Sequence, residues 1–361
     1  MLEKIRQVAA IVIVSFMVAN CGGSTSAPVP PPPPPPPAAD IWADVKTAVD
    51  VAKTSNLHLV IGDANGEIFS YEKGSFPRTE IHRLASASKL LSSITIMRLA
   101  EQGTLSLDDH PQDYIPWWTN DPTDDRAHIT LEHLLSFTSG FNYQPGEANC
   151  TSDGNITLED CARDFYDKDI ESVPGDVFYY GPAPLQIAAY MAEMASGVAY
   201  VDLFKTQVGD VLNLGSDTGF VTPSLTNPRA SAGAQSNVDD YSEVQRALLA
   251  GELVSDMNMF ARDRTDNATF GHRPAIIEDQ NMDWHYGLGF WRECEAMVWN
   301  DGCANNIMMS SPGAYGWNPW LDIENNYYGL IAMDVSLLVD NGSVELKLAL
   351  QPLIEAALAK R

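Results

Sequence analysis

Arg83-Leu84-Ala85-Ser86-Ala87-Ser88-Lys89-Leu90-Leu91 is the stretch on which the reading of this chain turns. It places Ser-x-x-Lys at the start of a segment, about Ser86 to Gln102, whose pattern predicts a helix ended by Gly103. Positions i and i+3 share a helical face, so the Lys89 amine can reach the Ser86 hydroxyl. An unactivated serine needs that proximity, because a neutral amine takes its proton and a charged one lowers its pKa. A second Ser-x-x-Lys, Ser70 to Lys73, falls in a predicted strand. There i and i+3 point to opposite faces, and Ser70 reads as structural. Taken alone, Ser86 would read equally well as a helix cap, so its surroundings decide.

Working outward, Ile41 to Ser55 has helical spacing, and Leu57 to Ile61 and Glu67 to Tyr71 flank Asn65-Gly66, a hairpin signal. Beyond the Ser86 helix come helical patterns at Leu131 to Leu135, Pro184 to Ala195 and Val238 to Ala250. Strands are predicted at Tyr286 to Trp291, Ala296 to Trp299, Trp317 to Ile323 and Tyr328 to Asp334, then a closing helix from Ser343 to Ala359. Strands at both ends with helices between predict an α+β fold: an antiparallel sheet part at about 40–110 and 281–361, flanked by helices, with a mostly helical part inserted at about 111–280.

The landmarks after Ser86 carry a family resemblance. Ala100-Glu101-Gln102-Gly103-Thr104-Leu105-Ser106-Leu107-Asp108-Asp109 follows the nucleophile helix, His133-Leu134-Leu135-Ser136-Phe137-Thr138-Ser139-Gly140 looks like HLL-x-x-TSG, and Pro174-Gly175-Asp176-Val177-Phe178-Tyr179-Tyr180 follows. Ala232-Gly233 through Asp240 and Tyr286-Gly287-Leu288-Gly289 continue the order. From about Asn56 to Gln351 the chain resembles the penicillin-recognising serine hydrolases of the class C type. These comprise class C beta-lactamases, D-alanyl-D-alanine carboxypeptidases and family VIII carboxylesterases. The resemblance implies a beta-lactamase/transpeptidase-like fold and an acyl-enzyme on Ser86.

It also implies roles. The family's Tyr-x-Asn motif is matched by Tyr180-Gly181-Pro182, with Tyr179 as rival in register. A phenol beside the Lys89 ammonium would serve as base to Ser86 and then as acid to the leaving group. Pro182 offers the substrate no amide. The third motif, Lys-Thr-Gly or His-x-Gly, appears as Ser311-Pro312-Gly313-Ala314. Here Gly313 would let a substrate lie along the strand, and the Ser86 and Ala314 amides would form the oxyanion hole. Ser311 lacks the cation that attracts a carboxylate, which favours neutral esters. Trp317 would wall the substrate site, although aromatics on a strand also pack cores.

The chain has 361 residues, 45% hydrophobic, with 22 basic against 48 acidic side chains and a formal charge of −26. That balance excludes phosphate neutralisation and so nucleic-acid binding. Lys4 and Arg6 before the apolar run Val8 to Ala19 read as a signal peptide over 1–20. Cys21 follows in a lipobox-like setting, Asn20 departing from its pattern, so lipidation at Cys21 and ordinary cleavage near Ala19 both stand. Residues 21–39, with prolines from Pro30 to Pro37, read as an extended spacer before a hydrolase domain at 40–361. Export to the periplasm or cell surface follows, with membrane contact only through a lipid anchor at Cys21. In an oxidising compartment Cys150–Cys161 and Cys294–Cys303 are the expected pairs among three connectivities. No CxxC or HExxH occurs, so neither a metal nor a cofactor is expected. The expected partner is a small acyl substrate, with oligomeric state open. The leading reading is an exported serine hydrolase acting on esters. A beta-lactamase or cell-wall carboxypeptidase, and a non-catalytic surface binding protein, are the alternatives.

Overall fold

The Asn65-Gly66 signal marks a hairpin, with Leu57–Asp63 pairing antiparallel to Gly66–Lys73. In this computed structural model, which describes residues 40–142, 150–336 and 342–361, that hairpin is one edge of a seven-stranded antiparallel sheet. Its order runs Gly66–Lys73, Leu57–Asp63, Tyr327–Ala332, Asn318–Asp322, Met308–Ser310, Trp291–Arg292, His285–Tyr286. The signal segment, Cys21, the proline spacer and 143–149 lie outside the described residues.

Side-chain alternation sends this sheet's residues to two cores. Leu57, Leu59, Ile61, Trp320 and Ile331 pack with Val45 and Val49 of helix Ala43–Asp50 and with Leu346, Leu350 and Ile354 of helix Ser343–Leu358. Val60, Leu321 and Leu330 join the larger core with helix Ser88–Glu101 and the helical part. Because both faces of the sheet's centre are covered, Leu57–Asp63 and Tyr327–Ala332 read as mostly apolar runs, whereas the edge strand Gly66–Lys73 stays largely exposed or half-buried. Residues from Ile41 onward form one compact unit.

Helix Ser88–Glu101 is buried on almost every side, and its polar side chains are accordingly bonded. The Ser88 hydroxyl accepts from the Ala234 amide at 3.0 Å, Ser92 donates to the Ala230 carbonyl at 2.6 Å, and Ser93 donates to the Leu288 carbonyl. Between 111 and 280 the described residues carry helices Leu131–Leu135, Leu158–Tyr166, Ala183–Ser196, Tyr200–Phe204 and Val238–Leu249 and only short strands.

Two expectations change. Tyr286 to Trp291 is not one strand but a hairpin, His285–Tyr286 with Trp291–Arg292, because Gly289 turns at φ 85° against the Ser88–Glu101 helix. Ala296 to Trp299 is not a strand, since it lies in the short loop closed by the Cys294–Cys303 bridge, whose Cα atoms are 5.0 Å apart. Cys150 and Cys161 are also bridged.

Candidate active site

Ser86 sits on a 3-10 turn, Ala85–Ala87, that runs into the helix at Ser88. Ala85 adopts φ 46°, a left-handed conformation that costs a non-glycine residue roughly 1–2 kcal/mol. The turn is held there from several sides. The Leu84 amide donates to the Ala234 carbonyl at 3.0 Å, the Tyr241 hydroxyl to the Ala87 carbonyl at 2.9 Å, and the Ser311 hydroxyl to the Ser86 carbonyl at 3.1 Å.

The turn presents Ser86 to a cleft of about 320 Å³ lined by Lys89, Tyr180, Pro182, Arg229, Ala314 and Tyr315, among others. Lys89 Nζ lies 3.1 Å from Ser86 Oγ and donates to the Ser231 carbonyl at 2.9 Å. Burial, with a smaller contribution from the positive Arg229, lowers the Lys89 pKa to about 7. Near neutrality about half of this amine is therefore uncharged and can take a proton from the serine it touches.

Tyr180 leaves the short strand Val177–Tyr179 just before helix Ala183–Ser196. Its ring stacks between Phe137 and Trp291, with centroids at 5.6 and 5.4 Å, and Lys89 Nζ lies 4.6 Å from its centroid. The hydroxyl hydrogen-bonds with Ser86. Tyr179 instead faces His272, at 5.3 Å between rings, which resolves the register in favour of Tyr180. The expected ionisation of this phenol is not met. Burial pushes its pKa well up, the Ser86 hydrogen bond only partly offsetting this, and the lysine beside it is no permanent ammonium. Lys89 is thus the group beside Ser86 that can accept a proton near neutrality, next to a Tyr180 phenol that stays protonated.

Ser86 and Ala314 face one cleft, as the oxyanion-hole expectation requires, and Pro182 lines it too. Three expected substrate contacts need correction. Trp317 is fully buried and packs near Phe76, His82 and Tyr241. Ser311 is also buried, its hydroxyl donated to the Ser86 carbonyl, and it is not among the residues lining the cleft. Gly313 lacks a side chain for the sake of the protein itself: a Cβ there would sit 2.1 Å from the Leu84 carbonyl oxygen. The glycine lets this segment abut the nucleophile turn.

Ser70 is structural, as expected: its hydroxyl meets His58 Nε2 at 2.9 Å and Arg78 at 3.0 Å, while Lys73 donates to the Ala52 carbonyl. His133 closes a capping box with Thr130. Away from the cleft, Asp263, Asp266 and His285 bring potential metal-ligand atoms within 4.8 Å of one another, but Asp263 already accepts from His285 Nδ1 at 2.6 Å. Sequence reasoning missed Arg229, Ser231 and Tyr315. The signal for Arg229 was a cation just ahead of the small residues Ala230 to Gly233 in a chain poor in cations.

A family model described as Beta-lactamase matches residues 26–333, and the chain belongs to this family, which has the beta-lactamase/transpeptidase-like fold and includes serine hydrolases of esterase and carboxypeptidase types. It is 28% identical over 210 residues to the D-alanyl-D-alanine-carboxypeptidase/endopeptidase AmpH of Escherichia coli, a match covering 56% of this chain and 54% of that protein. The chain thus spans about half the length of this relative. Lovastatin esterase of Penicillium rubens is 25% identical over 365 residues, covering 82% of this chain and 90% of that one. The solved structure of EstCE1, a hydrolase with promiscuous acyltransferase activity, superimposes with a TM-score of 0.67 at 19% identity, covering 88% and 97% of the two chains. That likeness is one of fold.

Proposed function

We propose that this protein is an exported serine hydrolase of the family VIII carboxylesterase type, cleaving ester or related acyl bonds through an acyl-enzyme on Ser86. The observation that carries it is Lys89 Nζ at 3.1 Å from Ser86 Oγ, desolvated to a pKa of about 7 and open to a cleft. Neutral Lys89 takes the hydroxyl proton as Ser86 Oγ bonds to the acyl carbon. The Ser86 and Ala314 amides stabilise the oxyanion, and the proton reaches the leaving oxygen by way of the Tyr180 hydroxyl as the ester bond breaks. Water then attacks the acyl-enzyme by the same route reversed, releasing the acid and restoring Ser86.

Two observations support esters. Pro182 supplies no side-chain amide to hold an amide-bearing substrate, and the match to an esterase spans nearly that whole protein, whereas the carboxypeptidase match spans about half. The second reading, a beta-lactamase or D-alanyl-D-alanine carboxypeptidase, is favoured by the Arg229 cation in the cleft. Export, and lipidation at Cys21, rest on Lys4, Arg6, the apolar run 8–19 and the lipobox-like setting.

The test compares p-nitrophenyl butyrate with nitrocefin on purified protein, alongside fluorophosphonate labelling and a Ser86→Ala control. Faster ester turnover that Ser86→Ala abolishes supports the proposal. Equal or faster nitrocefin turnover would put the second reading in its place. An unlabelled Ser86 with no turnover would leave a binding protein on a hydrolase fold.

A further inference from the structure

Among the groups lining the cleft, Arg229 bonds none of the reacting groups in the acyl transfer described above, its one part there being a minor charge effect on Lys89, and its setting is unusual for an arginine. It is half-buried, and burial lowers its pKa. Among the described residues no carboxylate forms an ion pair with it, and the one side-chain bond described for it runs from Nε to Thr151 Oγ1 at 3.0 Å. A guanidinium taken partly out of water without a counter-ion is destabilising, and a planar fork of donors is matched by a carboxylate. The cost is tolerable where an anion arrives with the ligand.

The position is also built rather than accidental. The Arg229 amide donates to the Thr222 carbonyl at 2.9 Å. On either side, Gln186 Nε2 donates to the Pro228 carbonyl at 3.0 Å and Gln186 Oε1 accepts from the Ala230 amide at 3.2 Å. Asn227, fully buried, donates to the Cys150 and Asp153 carbonyls, both at 2.9 Å. The Cys150–Cys161 bridge thus anchors the loop that carries Thr151, the residue that fixes Nε, and leaves the rest of the fork to the cleft. Tyr315 lines the same cleft, its ring 4.7 Å from the Arg83 guanidinium.

We propose that Arg229 is the specificity residue of this cleft, binding a carboxylate carried by the substrate, so that the preferred substrates are acyl compounds with a free carboxylate and not neutral esters. This rests on the Ser86 acyl-transfer reading for its rate arm and stands apart from it in its binding arm. It reverses the preference inferred from Ser311, because the cation that the third motif lacks comes from another segment.

The rate arm measures kcat/KM for p-nitrophenyl butyrate, for mono-p-nitrophenyl glutarate, with its carboxylate on the acyl chain, and for 3-carboxy-4-nitrophenyl butyrate, with its carboxylate on the leaving group. Wild type should favour one carboxylate-bearing ester over the neutral one. Arg229→Gln should lower that ratio by about 10- to 100-fold, the size of one charge-assisted hydrogen bond, and Arg229→Lys should restore part of it. A ratio unchanged by Arg229→Gln, or a wild type that prefers the butyrate, overturns the proposal. The binding arm uses Ser86→Ala protein and monomethyl glutarate by calorimetry, with circular dichroism to confirm folding. Loss of binding on adding Arg229→Gln supports the assignment. Equal binding with and without Arg229, or no binding to either, overturns it. If no ester turns over, the hydrolase reading fails and the binding arm alone decides Arg229.

Discussion

The depressed Lys89 pKa makes a quantitative demand on the pH dependence of turnover. An ordinary lysine with a pKa near 10.4 is neutral only to about 0.04% at pH 7, whereas one at about 7 is half neutral, about a thousandfold more base. With Lys89 as the group that accepts the Ser86 proton, kcat/KM for a non-ionising ester should be near its plateau by pH 8. It should fall to about half at pH 7, about a tenth at pH 6 and about a hundredth at pH 5. The charged and titratable groups described at this amine are Ser86, Tyr180 and Arg229. Tyr180 is pushed upward, so neither it nor an arginine titrates in this window. The assay is initial rate against pH at constant ionic strength, from 5 to 9. A profile flat across that range, or one still climbing above pH 9, would refute the assignment. The same proton affects the fold. Between about 7 and 10.4 the unfolded chain holds it and the folded chain does not, so stability rises with pH by about 1.4 kcal/mol per unit from this site. Lys89→Met removes that contribution, and its stability relative to wild type should drop by roughly 2 kcal/mol between pH 7 and pH 9, read from denaturant midpoints.

Gly313→Ala should lower kcat by about 100-fold, because the new Cβ would press on the Leu84 carbonyl and shift the Ser86 turn; steady-state kinetics on small esters checks it. Trp317→Ala should cost about 3–5 kcal/mol in chemical denaturation while leaving KM for small esters unchanged, since the indole is buried away from the cleft. Each disulfide closes a loop of about ten residues and should contribute about 2.5–3 kcal/mol; unreduced peptide mapping should recover both pairs, and a reductant should lower Tm. Lys347, fully buried and donating to Glu293 and to Gln351 at 2.8 Å, should cost about 3–5 kcal/mol as Lys347→Met, most of it recovered by adding Glu293→Leu.

The sheet and its helices were legible because local signals agreed with the tertiary arrangement. The turn at Asn65-Gly66, the apolar runs buried on both faces and the Ser343–Leu358 helix each follow from pattern alone. What misled were constraints that pattern does not carry. A bridge between Cys294 and Cys303 prevents Ala296 to Trp299 from pairing as a strand, and Gly289 splits a predicted strand into a hairpin because it must pass close to Ser93.

The site shows the same division at a finer scale. Ser86 and Lys89 were readable because one helical turn joins them, and Tyr180 because a family order places it. The third motif was misread because sequence gives a residue's type but not the side from which it is used. Ser311 and Gly313 lie beside the nucleophile, yet both face its backbone: the hydroxyl bonds the Ser86 carbonyl, and the missing side chain leaves room for Leu84. The family's third-motif cation is missing at Ser311, while the cation that lines the cleft, Arg229, comes from another segment. Arg229 lies far along the chain from both Ser86 and Gly313; it enters the cleft because Asn227 and Gln186 fasten its segment to the disulfide-closed loop and to helix Ala183–Ser196. The cation of this cleft is therefore placed by tertiary structure, through three segments that the chain brings together, and not by the third motif.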